Sequence, residues 1–194
     1  MLKTIVLTAL MLSIAILGGA GGVWLALDAN FEFDTVTIGN WTAFPERGTL
    51  AADPYSKAHF SREADLALGR AEGLVFVTRR DSSGNPLRLE CTYRLEGVLP
   101  PARFWTLHAR DLNRRPIMVE GARAPALHSQ ALLRQPDNST VTTVSRHPAP
   151  GNWLAVDGSG PYLLILTLYD TSMTSSARIG EVQLPRVLRE SCDE

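Results

Sequence analysis

The residues of this chain that could do chemistry are four histidines and two cysteines. His59, His108, His128 and His147 are scattered along the sequence without the spacing of metal ligands. The sequence also contains no His-Glu-x-x-His, Cys-x-x-Cys, Gly-x-Ser-x-Gly or phosphate-loop motif. We therefore predict no catalytic residues, no metal and no cofactor. Whether the chain is an enzyme is left open, with the balance against it.

The two cysteines, Cys91 and Cys192, fit neither a zinc motif nor a redox motif. Cys91 lies in a run of alternating apolar and polar residues, which predicts a strand over 87–95 with Cys91 facing inward. Cys192 lies near the C-terminus. One interpretation is a Cys91–Cys192 disulfide that closes a loop of about 100 residues. The other is a buried free thiol at Cys91 and a frayed tail.

Five residues are the candidates for a ligand-binding cleft: Arg103, Trp105, Asp111, Asn152 and Trp153. Their types would give a small polar cleft with aromatic walls, as in sugar-binding β-sandwiches. The alternative interpretation is structural. Trp105 falls on the inward side of a predicted strand over 103–110, with Phe104, Thr106 and His108 outward, and buried aromatic residues mostly belong to a core.

The N-terminal segment predicts a transmembrane helix. Residues 5–27 contain neither charge nor proline and would form a helix about 34 Å long, against a hydrocarbon core of roughly 30 Å. Lys3 precedes this segment and places the N-terminus in the cytoplasm by the positive-inside rule. The prediction is therefore a single pass through a membrane, with the remaining chain on the side away from the cytoplasm.

A cleaved signal peptide is the alternative, because Gly18-Gly19-Ala20 follows a shorter apolar run and resembles a cleavage site. The apolar run resumes through Leu27, and Trp24 lies where an interfacial aromatic anchor belongs, which favours an uncleaved anchor. Both alternatives export the rest of the chain. That remainder has 18 basic and 20 acidic residues and no basic stripe, so we predict no nucleic-acid partner.

After the anchor, the sequence predicts a mainly β fold with one preceding helix. Asp53-Pro54 begins a helix expected to reach about Leu68, and a weakly helical stretch is expected over 129–134. Seven or so strands alternate with turns, and a near-continuous apolar run at 162–169 is typical of a central strand covered on both faces. A first strand is predicted over 35–38, before the helix, and the seven strands after it cover residues 74–78, 87–95, 103–110, 117–120, 140–145, 152–154 and 162–169.

This pattern predicts an antiparallel β-sandwich in which strands 74–78 and 87–95 form a hairpin around the turn at 81–86. A short edge element is expected at 182–185. The predicted organisation is a transmembrane anchor at 1–27, a linker with a first strand at 28–52, and the sandwich domain at 53–194.

Several sequence blocks together resemble one bacterial family, catalogued as domain of unknown function 1214, over about residues 39–185. The blocks are Gly39-Asn40-Trp41, Asp53-Pro54-Tyr55 with Lys57-Ala58, Glu72, Asp81-Ser82-Ser83-Gly84, Pro101-Ala102-Arg103-Phe104-Trp105-Thr106-Leu107, Asp137-Asn138-Ser139, Pro150-Gly151-Asn152-Trp153-Leu154 and Leu168-Tyr169-Asp170. The resemblance implies a jelly-roll-like sandwich in an exported or membrane-associated protein, and no established activity. Larger relatives join it to a second domain, catalogued as 1254, so the resemblance also suggests a separately encoded 1254-type membrane protein as a partner.

Two functional hypotheses follow. The first is a module for binding or assembly in the cell envelope, tethered by a single pass to the bacterial inner membrane, as the resemblance implies, with its N-terminus in the cytoplasm and its domain in the periplasm. The second is a periplasmic enzyme acting on carbohydrate or lipid, or a glycan-binding domain. An open sheet face with exposed aromatic side chains would favour the second, and a fully packed sandwich would favour the first.

Overall fold

The computed structural model describes residues 1–28, 35–46, 48–63, 68–69, 71–113, 115–119, 126–171 and 182–193. Two helices belong to one compact unit, which comprises Met1–Phe33 and Asp53–Asp65. Helix α1 spans Leu2–Asp28. Its segment Leu2–Leu25 is long and apolar enough to cross a membrane, with a mean hydropathy of 2.1 and none of it buried by the rest of the chain. The predicted N-terminal apolar helix is therefore present.

Helix α2 spans Pro54–Glu63 and begins as the sequence predicts. The Asp53 carboxylate accepts a hydrogen bond from the Ser56 backbone N–H at 3.0 Å, and proline tolerates the first helical position because no donor is needed there. The described helix ends at Glu63, and Leu68, about where the prediction ends the helix, is not helical. Residues 64–67 lie outside the described part of the chain.

The second compact unit, Asp34–Ala52 with Leu66–Glu194, contains two β-sheets. The six-stranded sheet has the order β1-β2-β3-β9-β5-β6, and the four-stranded sheet has the order β10-β4-β7-β8. The strands are β1 Val36–Ile38, β2 Trp41–Ala43, β3 Gly73–Thr78, β4 Cys91–Gly97, β5 Phe104–Asp111, β6 Ala126–His128, β7 Thr140–Ser145, β8 Asn152–Ala155, β9 Tyr162–Tyr169 and β10 Arg186–Cys192.

Both sheets contribute to one apolar core, which makes the unit a β-sandwich and confirms the mainly β prediction. Phe76 of β3 and Leu166 of β9 come from the larger sheet; Tyr93 of β4 and Val144 of β7 come from the smaller one. Strand β9 lies between β3 and β5, and its residues from Tyr162 to Leu168 are buried on both faces. The apolar run at 162–169 is therefore a central strand, as predicted. Both faces of such a strand are covered, so the side chains on both faces are apolar.

The predicted hairpin between 74–78 and 87–95 is wrong. Strand β3 pairs with β2 and β9, whereas β4 pairs with β10 and β7 in the other sheet. The turn after β3 forms, but residues 87–90 then lie beside the residues that lead into β9. Leu89 donates its N–H to the Gly160 carbonyl at 2.9 Å. Leu87 and Leu89 are buried as the alternation predicts. The chain therefore crosses from one sheet to the other within a run that the sequence shows as one strand.

Other local predictions also change. Residues 129–134 are not helical. Residues 117–119 do not form a strand, and the preceding Pro116 makes an isolated β-bridge to Arg110. The edge element expected at 182–185 is not a strand, and the edge strand β10 begins directly after it, at Arg186. Strands β2 and β6 were not predicted, because three residues are too few to show an alternation of apolar and polar side chains. Strand β8 runs parallel to β7, so the sandwich is not purely antiparallel.

Candidate functional site

The disulfide joins the first residue of β4 to the last residue of β10. Cys91 and Cys192 are directly opposite in the strand register, and their Sγ atoms are bonded. Cys91 is buried, and the Asp193 N–H beyond the bridge donates to the Glu90 carbonyl at 2.8 Å. The C-terminal tail is thus an ordered edge strand held covalently and by hydrogen bonds.

A buried carboxylate holds the same strand at a second point. Asp81, in the turn after β3, is only 2% exposed and lies 3.2 Å from Arg189 Nη2 on β10. Its Oδ1 atom also accepts the backbone N–H groups of Ser83 and Asn85 at 3.0 and 2.9 Å. Arg189 also donates to the Pro86 carbonyl at 2.7 Å. The buried charge of Asp81 thus holds β10 against the turn after β3.

Arg103 and Asp111, two of the candidate binding residues, lie at opposite ends of β5. The Arg103 guanidinium is 83% exposed, and its Nη1 atom lies 3.7 Å from Asp170 Oδ2. Asp111 Oδ1 accepts the Arg115 N–H at 2.8 Å and thereby closes the turn after β5. The structure does not bring these two side chains together.

Trp105 lies in the core, as its inward position predicts. It lines a small apolar cavity between the sheets together with Trp41, whose Nε1–H donates to the Pro185 carbonyl at 2.8 Å. The space open to water centres is about 10 Å³, enough for roughly one water molecule. This cavity is too small for a saccharide or an acyl chain.

Asn152 and Trp153 belong to β8 in the smaller sheet. The buried Asn152 amide accepts the Leu133 N–H at 2.7 Å and donates to the Leu133 and Val141 carbonyls at 2.8 and 2.9 Å. Trp153 Nε1–H donates to the Ser145 carbonyl at 3.1 Å. Both side chains thus connect strands and loops, and the structure does not combine them with Arg103 or Asp111 in one cleft. Their role in ligand binding stays a prediction.

A row of three rings, Phe104, Tyr169 and His128, lies on the face of the larger sheet that points away from the core. Phe104 is directly opposite Tyr169 in the register, and their ring centroids are 5.9 Å apart. The centroids of Phe104 and His128 are also 5.9 Å apart. All three side chains are partly exposed. Phe104 points outward, as the alternation along its strand predicts. The row itself has no signal in the sequence, because Tyr169 and His128 join Phe104 only through strand pairing.

Two side chains show how local contacts shift acidity. The Glu90 carboxylate accepts its own N–H and the Gly160 N–H, the latter at 2.9 Å, and these hydrogen bonds hold its pKa below the ordinary value. Burial raises the pKa of Tyr162 well above its usual range, and the adjacent Tyr93 adds to the shift. Among the described residues, no group of three or more His, Cys, Asp or Glu side chains is placed to hold a metal ion.

One comparison with a solved structure agrees with the sandwich fold. The VPA0106 protein from Vibrio parahaemolyticus has a TM-score of 0.56 at 18% identity, with 75% of this chain aligned to 37% of that one. An uncharacterized protein from Burkholderia cenocepacia has a TM-score of 0.47 at 16% identity, with 88% of this chain aligned to 40% of the other. The chain thus spans well under half the length of either protein.

The family assignment comes from the sequence. No functionally curated protein matches the chain. The profile of the protein family of unknown function DUF1214 matches residues 72–173, which is more than half of the 194 residues and runs from the residue before β3 to just beyond β9. The chain therefore belongs to the DUF1214 family.

Proposed function

We propose that this protein is a membrane-tethered binding or assembly module on the outer side of the bacterial inner membrane. The observation that carries the proposal is α1: its apolar segment Leu2–Leu25 leaves every side chain unburied in a unit separate from the sandwich. Apolar surface of this extent is favourable in a bilayer and costly in water.

The orientation is argued from charge and from the disulfide. Lys3 lies at the N-terminal end of the apolar segment and Asp28 is the last residue of α1, which favours a cytoplasmic N-terminus and a periplasmic sandwich. The Cys91–Cys192 bond supports the same side of the membrane, because disulfides persist in the periplasm and are rare in the cytosol.

Alkaline carbonate extraction of native membranes, followed by intact-mass measurement, tests the tether. We expect the full 21.2 kDa chain in the pellet. A matched control carries Leu12→Arg with Ile14→Arg, two charges at the middle of the span, and should move to the supernatant. A native protein that is extracted by carbonate, or that has lost residues up to about Ala20, would contradict the tether and favour a cleaved signal peptide.

The partner in this proposal is a separately encoded 1254-type membrane protein, as the resemblance suggests. The much greater length of the solved VPA0106 protein supports a search for further domains that act with this one. The test is purification from native membranes in mild detergent with mass spectrometry of co-eluting proteins. A control with an unrelated transmembrane helix in place of 2–28 should retain the partner if the sandwich binds it. Repeated recovery without a 1254-type protein would exclude this partner.

The second candidate function is glycan binding, and the ring row of Phe104, Tyr169 and His128 favours it. Partly exposed aromatic side chains on a sheet face provide stacking area for a ligand. We propose binding without turnover, since stacking on these rings requires no bond to be broken. A hydrolysed carbohydrate or lipid would contradict this.

A further inference from the structure

We propose that the ring row of Phe104, Tyr169 and His128 is a saccharide-binding platform, with Phe104 as the central stacking residue. This inference rests on the proposed role as a binding module and gives that module a ligand class. It does not depend on the tether, because the surface belongs entirely to the β-rich unit.

The row is built by three adjacent strands. Trp105 and Leu168 point into the core, so their neighbours Phe104 and Tyr169 project from the opposite face. His128 of β6 reaches the same face, because its register partner on β5 is Thr106, two residues after Phe104. The rings are tilted by 30° and 40° to their neighbours, which gives a continuous but uneven apolar strip.

The accessible part of this face lies along β5 and at the end of β9. Phe104, Thr106 and His108 on β5 are partly exposed, as is Tyr169. Farther back along β9, the side chains on the same face are buried: Thr167, Ile165 and Leu163. A ligand could therefore lie over the Phe104 end of the strip, and the covered centre of the sheet would limit its length.

Polar groups beside the rings suit a polyhydroxylated ligand. His128 Nδ1 is buried and has no hydrogen-bond partner in the described part of the chain. An N–H group buried without an acceptor costs more than an unused lone pair, so the ring proton belongs on Nε2, which makes that atom a donor. The exposed pair of Arg103, immediately before β5, and Asp170, immediately after β9, supplies a donor and an acceptor at the end of the row.

This combination favours a sugar over a purely apolar ligand. A pyranose has an apolar face of C–H groups that can stack on Phe104 and a rim of hydroxyls that can bond to imidazole, guanidinium and carboxylate. An acyl chain would remove water from these polar groups without offering them hydrogen bonds, which is unfavourable. The cavity beside Trp105 offers no competing site, since it holds about one water.

The test is calorimetric titration of the full-length protein in lipid nanodiscs with chitotetraose, cellotetraose and maltotetraose. We expect at least one to bind with a Kd below about 1 mM. Phe104→Leu and Tyr169→Leu keep apolar bulk on the sheet, and each should weaken that binding at least tenfold, as loss of about 1.4 kcal/mol of stacking would do. Leu133→Ala removes an apolar side chain that is 68% exposed beside β8 of the other sheet, and it should change Kd by less than twofold.

Each variant is first checked for an intact Cys91–Cys192 bond and an unchanged thermal midpoint. If Phe104→Leu fails that check, Tyr169→Leu and the saturation transferred from protein aromatic protons to the sugar ring protons carry the test. Absence of binding for all three oligosaccharides at 10 mM would overturn the proposal, as would equal binding by the wild type and both ring variants. Neither result bears on the tether, which carbonate extraction reads separately.

Discussion

Arg189 on the last strand and Asp81 in the turn after β3 form an ion pair of 3.2 Å in which the carboxylate is 2% exposed and the arginine side chain 30%. The same guanidinium lies over the Tyr93 ring, 5.6 Å from its centroid. One arginine thus links the C-terminal strand to the turn that redirects the chain between sheets and to the core.

Replacing Arg189 by methionine should destabilise the sandwich by about 3 kcal/mol, because a buried carboxylate would lose its charged partner. Urea unfolding in mild detergent, followed by tryptophan fluorescence, measures this change. The control is Arg186→Met on the same strand, which breaks a pair with Glu96 whose arginine is 67% exposed and should cost under about 1 kcal/mol. Equal costs at the two positions would contradict the docking role of Arg189.

Removing the disulfide should cost about 4 kcal/mol, since the bond links residues 101 apart in sequence and restricts the unfolded chain. Cys192→Ser compared with the wild type under non-reducing conditions gives this difference. Reductant should lower the stability of the wild type to that of Cys192→Ser and leave the variant unchanged. If reductant leaves the stability of the wild-type protein unchanged, the Cys91–Cys192 bond does not form in the folded protein.

Asn152→Ala should destabilise the sandwich by about 3 kcal/mol, because it leaves the Leu133 N–H and two carbonyls without their partner inside the protein. Asn113→Ala is the matched control, an exposed asparagine in the turn after β5, and should lie within about 0.5 kcal/mol of the wild type. A ligand role for Asn152 would instead appear as lost binding at unchanged stability.

Glu90→Gln should reduce the dependence of stability on acid pH. The folded-state pKa of Glu90 lies below its ordinary value of 4.5, so the unfolded chain binds the proton more tightly. The resulting stability is fully present above about pH 4.5 and is lost as pH falls through the lowered folded-state pKa. Thermal midpoints of both proteins should therefore converge below about pH 4.5. A difference between the two midpoints that stays constant at every pH would contradict the lowered pKa of Glu90.

The alternation around Cys91 correctly predicts which side chains are buried, because the two faces of a strand differ locally in polarity. It cannot specify the partner strand. Leu87 and Leu89 pack beside the start of β9, whereas Tyr93 and Leu95 continue in the other sheet. The change of sheet depends on contacts with residues 160–162, which are distant in sequence. The predicted hairpin is therefore wrong, although the predicted buried face of the segment is correct.

The candidate site was predicted less well than the fold, for a related reason. Tryptophan and asparagine at 105, 152 and 153 stand out by type, yet their contacts are with the core and the neighbouring backbone. The alternation along β5 correctly predicts that Phe104 points outward, but a single outward ring does not indicate a binding surface. Only the pairing of β5 with β9 and β6 brings Tyr169 and His128 beside it.

The most direct test of the central claim, a disulfide-closed sandwich tethered outside the cytoplasm, is thiol trapping of native cells with a maleimide polymer before carbonate extraction of the membranes. We predict that the 21.2 kDa chain remains in the pellet and gains no polymer unless it is first reduced, when it gains two. A chain in the soluble fraction, or one whose two thiols react without reduction, would contradict the account.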